Sequence, residues 1–95
     1  MTTDIHLRTI DPGPGVRRFE VTVDGPSSTT VHEVTLSEAD RERLSSQFAS
    51  AEDLVRASFE FILEREPNED ILRSFDLPVI ARYFPEFDDE ITRPR

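Results

Sequence analysis

The sequence predicts an α+β domain: an N-terminal antiparallel sheet of two or three strands packed against three or four short C-terminal helices. Three observations predict it. Apolar residues alternate with a period of two over residues 16–23 and again over 29–36. From Ser37 the period becomes helical. Pro67, Pro78 and Pro85 then cut the helical half into short pieces.

The elements follow in order. Residues 4–10 alternate weakly through Ile5 and Leu7 and form a first strand. Asp11-Pro-Gly-Pro-Gly15 is a loop, since its prolines and glycines break regular structure. Phe19, Val21 and Val23 share one face of the next strand, opposite Arg18, Glu20 and Thr22. Asp24-Gly-Pro-Ser-Ser28 is a turn, and Val34 and Leu36 lie on one face of the strand after it. The resulting hairpin is marginal alone and must pack on something.

Ser37-Glu-Ala-Asp40 reads as an N-cap with acids in the first turn, opening a short helix that ends near Gln47. Its inward residues are Ala39, Leu44 and Phe48. Ser50 caps a longer helix to about Glu66, which Pro67 stops. A third helix spans Asn68 to Phe75, with Pro67 at its first turn. A fourth runs from an Asp76 N-cap to about Tyr83. Residues 1–95 read as one small domain, with 1–3 and 88–95 frayed.

The helix from Ala51 to Glu66 has an unusually broad apolar face. With Ser58 at zero on the wheel, Ala51, Leu54, Val55 and Ile62 fall within about 60°. Phe61 lies about 60° to one side, and Phe59 and Leu63 about 100° and 140° to the other. The arc covers about 200°, against roughly 100° for a surface helix. Either the helix is central, with the hairpin on one flank and the following helices on the other, or part of the arc meets a partner or a second copy. Arg65 and Glu66 project inside the arc. Either the helix frays there and both side chains snorkel to water or cap neighbours, or Arg65 forms a buried ion pair with Glu69 or Asp70, or it holds a ligand. Tyr83-Phe-Pro-Glu-Phe87 either closes the core or forms an aromatic docking patch.

The run from Ala57 to Pro67, with Ile71-Leu-Arg-Ser-Phe75 and Val79-Ile-Ala-Arg-Tyr-Phe-Pro85, resembles a family of small, functionally uncharacterised bacterial proteins. His32-Glu-Val-Thr-Leu36 extends the likeness more weakly. The resemblance implies a free-standing bacterial chain and carries no activity with it.

Composition narrows the function classes. The net charge is −9, and all eleven basic residues are arginines. This acidity opposes non-specific binding to nucleic acid or anionic membrane. Residues 37–95 hold fifteen of the twenty acids. Solubility, salt adaptation or codon usage explains such a balance, and an acidic inhibitor mimicking nucleic acid is the sharper alternative. There is no cysteine, so no thiolate site or disulfide exists and no oxidising compartment is needed. Met-Thr-Thr-Asp4 lacks the features of a signal peptide. No apolar run approaches the roughly 18–20 residues of a membrane span. These features predict a cytoplasmic protein.

No catalytic, cofactor-binding or metal-binding residue is expected. His6 and His32 are the only histidines, too few for a zinc site without several carboxylates. His32 falls in register with Val34 and Leu36, as a half-buried strand histidine would. Asp88-Asp-Glu90 lacks the spacing of a calcium loop. The serines have no nucleophile-elbow context, and no glycine opens a phosphate-binding helix. Glu52–Arg56 and Arg56–Glu60 read as solvated i,i+4 pairs. The expected role is a non-enzymatic protein-binding or regulatory module, a homodimer being one form of it. The candidate partner-binding residues are Phe59, Leu63, Arg65, Tyr83 and Phe87.

Overall fold

A computed structural model describes residues 3–11, 13–44 and 48–93. Three strands come first: β1 (Asp4–Asp11), β2 (Val16–Asp24) and β3 (Thr29–Ser37). Helices α1 (Glu38–Leu44) and α2 (Ala51–Leu63) follow. A 3-10 turn at Asn68–Asp70 leads to β4 (Ser74–Asp76). A second 3-10 turn at Leu77–Val79 leads to α3 (Ile80–Tyr83), and α4 (Phe87–Thr92) ends the described chain. The α+β class is as predicted.

The sheet has the order β1-β2-β3-β4. The first three strands are antiparallel, as their alternation and the short Asp24–Ser28 turn require. The sheet has one strand more than predicted, and β4 runs parallel to β3. Parallel pairing needs a crossover connection, here supplied by α1 and α2.

Phe19 pairs with Val34, Val21 with His32 and Val23 with Thr30, and all six side chains point into the core. The other sheet face is polar. Glu20 and Glu33 lie directly opposite each other there, a pairing that by itself destabilises. Arg8 answers Glu20 at 3.1 Å, and Arg18 answers Glu33 at 2.8 Å.

Ser37 and Ser50 cap α1 and α2 as predicted. Each hydroxyl accepts the N–H three residues on, from Asp40 and Asp53, at 3.1 Å. Leu44 is buried, whereas Ala39 is exposed, because α1 turns it to solvent. The expected end near Gln47 lies outside the described residues. Helix α2 stops at Leu63, short of Glu66, where the amides of Arg65 and Glu66 both converge on the Ile62 carbonyl.

The predicted third helix does not form beyond one turn. The side chain of Asn68 is tied back to the hairpin, and residues 74–76 extend along β3. Asp76 does not cap with its side chain, because its Oδ1 accepts from Thr35 Oγ1 at 2.8 Å. Residues 87–92, expected to fray in part, form α4, which buries Phe87 and Ile91.

Candidate functional site

The broad apolar arc of α2 is consumed mainly by the core. Phe59 packs against the rings of His32 and Phe75, at centroid separations of 5.5 and 5.9 Å. Phe61 meets Phe84 and Phe87 edge-on, at 5.9 and 5.2 Å. Phe59 and Phe87 are fully buried, so neither offers a surface to a partner, contrary to the sequence-based expectation. Leu63 is half-buried beside Thr3 and Ile5 of the β1 region.

Arg65 has a structural post. Its guanidinium carbon sits 3.6 Å from the Phe61 ring centroid. Nη1 donates to the Phe61 carbonyl at 2.9 Å, and Nε donates to Glu86 at 3.2 Å. Glu86, rather than the expected Glu69 or Asp70, is its main ionic partner, because α2 ends before Arg65 and directs it toward α4. Glu64 is a second, at 3.3 Å. The backbone and the Arg65 hydrogen bond hold the Glu86 carboxyl below the usual range.

Arg56 and Glu52 also depart from the expected i,i+4 pairs. Arg56 donates to the Ile5 carbonyl at 2.6 Å, and Glu52 accepts from Thr9 at 2.8 Å. Both side chains turn sideways to clasp β1.

Of the four apolar candidates, Tyr83 alone is broadly exposed, at 64%. It stands on a cleft walled by Ile71, Leu72, Phe75 and Val79, with Ile62 and Ile80 beneath. Leu72 is 45% exposed, much as Ile10, Val16 and Val31 are elsewhere, but it shares its cleft with Tyr83. The cleft is shallow and open, with a cavity volume of about 30 Å³.

Glu66 is the single charged residue on this lining. Partial burial, followed by the nearby charge of Asp70, pushes its carboxyl above the usual range. The ion pairs and hydrogen bonds of the described residues include none from its carboxylate. The sequence reading placed Leu72 and Glu66 on helices, noted Glu66 as a charge inside the apolar arc, and counted neither among the partner-binding residues.

The wall carrying Leu72 is held from behind. His32 is 1% exposed. Its Nδ1 lies 2.8 Å from the Leu72 carbonyl, which only accepts, so Nδ1 carries the proton. Nε2 therefore accepts from Thr30 Oγ1 at 2.8 Å, and Thr30 Oγ1 accepts from Asn68 Nδ2 at 3.0 Å. Asn68 also donates to the Ser28 carbonyl at 3.1 Å. With Thr30 donating to Nε2, the imidazole in this chain is neutral. Burial lowers the His32 pKa, the Leu72 hydrogen bond opposes that shift, and the charge of Arg73 adds to it.

His6 is exposed on the opposite sheet face and cannot share a ligand with His32. Among the described residues, no group of three acid, histidine or cysteine side chains is placed to hold a metal. No described helix is long and apolar enough to cross a membrane.

No family model, curated protein or solved structure matches the chain.

Proposed function

We propose that the protein is a small, non-enzymatic protein-binding module that docks partners on the Leu72–Tyr83 cleft. One observation carries the reading: two large apolar side chains, Leu72 and Tyr83, stay exposed on one cleft while Phe59 and Phe87 are fully buried. Exposed apolar side chains gathered on a concave surface are the ordinary mark of a docking face. The cleft is too small to enclose a substrate or cofactor, which favours recognition over catalysis. His32 spends both ring nitrogens inside the fold, so it is not poised as an acid or base.

The reading includes the bacterial, cytoplasmic setting implied by the resemblance and by the lack of cysteine. A nucleic-acid mimic draws less support, because arginines interleave with the carboxylates on several surfaces.

Photo-crosslinking in cells tests the proposal. A benzoylphenylalanine at Tyr83 should give a discrete adduct with a second protein. The adduct should be lost when Leu72→Asp is added, and a probe at Val31, exposed on the outer sheet face, should not form it. The same adducts from both sites, or none from Tyr83, overturns the reading.

A further inference from the structure

We infer that the cleft takes a lysine or arginine from a basic segment of another protein. The side chain's aliphatic stem would lie along Leu72 and Val79, and its charged head between Glu66 and Tyr83. The inference rests on the docking reading and adds the chemistry of the occupant.

Three features argue for it. First, the lining pairs apolar walls with one carboxylate, and that carboxylate has no partner among the described residues. Glu66 sits in partly dry surroundings that raise its pKa, so an incoming cation would relieve a standing cost. Second, Tyr83 presents an exposed aromatic ring on the same cleft. An aromatic face beside a carboxylate suits a cation with an apolar stem, which lysine and arginine both have. Third, the walls beside Glu66 and Tyr83 are apolar, Leu72 and Val79 among them, as an aliphatic stem requires.

The charge of the molecule points the same way. Its net −9 steers cationic segments toward it. Arg73 and Arg82 are near in sequence, yet neither lines the cleft. A second copy is disfavoured as occupant. A two-fold interface would bring the same face, with its Glu66, against itself.

A random heptapeptide display library, selected on the wild-type protein and counter-selected on Leu72→Asp, tests this. Enriched peptides should share a lysine or arginine beside an apolar residue. Synthetic versions should bind Glu66→Gln and Tyr83→Ala about tenfold or more weakly, with circular dichroism unchanged. Peptides that need Leu72 but carry no basic residue, or that bind Glu66→Gln equally well, overturn the inference and leave the docking reading standing. A selection with no Leu72-dependent peptide overturns both. A concentration-dependent dimer abolished by Leu72→Asp gives the cleft to a second copy and overturns the inference alone.

Discussion

His32 donates from Nδ1 to the carbonyl of Leu72 at 2.8 Å, so a buried strand histidine holds in place the residue that walls the cleft. The bond joins positions 40 residues apart in the chain. On the other side of the neutral ring, Nε2 accepts from Thr30 Oγ1 at 2.8 Å.

This arrangement sets a pH dependence. Burial holds the folded pKa of His32 below the ordinary histidine value of 6.5, so between the two values the unfolded chain binds more protons. The histidine's contribution is complete above 6.5 and is lost as pH falls toward the folded value. The loss approaches about 1.4 kcal/mol per pH unit at most. Urea melts at pH 7.5, 6.5 and 5.5 should show the decline, and His32→Gln should flatten it. An equal slope in the variant refutes the assignment.

Glu66 gives a trend of opposite sign. Its raised pKa means that the folded state binds the extra proton, so stability falls as pH rises above 4.5 through the folded value. Glu66→Gln should have a higher denaturation midpoint than wild type at pH 7 and an equal one well below 4.5. A lower midpoint at pH 7 would mean that the carboxylate has a stabilising partner.

The aromatics of the C-terminal segment should separate cleanly by truncation. Phe87→Ala removes a fully buried ring and should cost about 3–5 kcal/mol. Tyr83→Ala should stay within about 0.5 kcal/mol of wild type. Thermal melts of the two variants decide whether Tyr83 is spare surface or part of the core.

Gly25 and Asn68 meet closely. A Cβ on Gly25 would lie 2.5 Å from Asn68 Oδ1, closer than any real contact allows. Gly25→Ala should therefore destabilise by about 1–3 kcal/mol. Asn68→Ala should cost about as much, through the lost bonds to Ser28 and Thr30. If their losses do not add in the double variant, the two act through one contact.

Arg65→Ala should lose about 1–2 kcal/mol, combining the ring stacking on Phe61 with the Glu86 pair. Glu86→Gln should lose less than Arg65→Ala, since the Glu86 carboxylate is solvent-screened. Chemical denaturation of both variants measures the difference, and equal losses would assign the whole effect to the ion pair.

Local pattern carried much of this fold. Phe19, Val21 and Val23 alternate cleanly because only one face of their sheet is covered, and Ser37 and Ser50 announce helix starts through hydroxyl capping. What stayed hidden depended on distant partners. Residues 68–75 hold helix-compatible side chains, but Asn68 finds Thr30 and Leu72 finds His32, and these contacts override propensity. Asp88-Asp-Glu90 looked like a solvated tail because the sequence could not show that Phe87 and Ile91 on either side would reach the core. The breadth of α2 was legible as a need for two flanks, yet which of the late aromatics would supply cover was a matter of chain path. Tyr83 was named for its type. Its exposure and its neighbours Leu72 and Glu66 come from tertiary placement alone.

The parallel strand β4 also orders events in time. It holds β3 through three register positions, with Thr35 and Asp76 41 residues apart. Such a distant, short pairing forms late in folding, and its amides should exchange with solvent sooner than those of the β2–β3 hairpin. Leu72 and Phe75 reach their places only when that strand zips against β3. A nascent chain therefore has its hairpin and central helix before the Leu72–Tyr83 cleft takes shape, and any docking there would wait for the finished sheet.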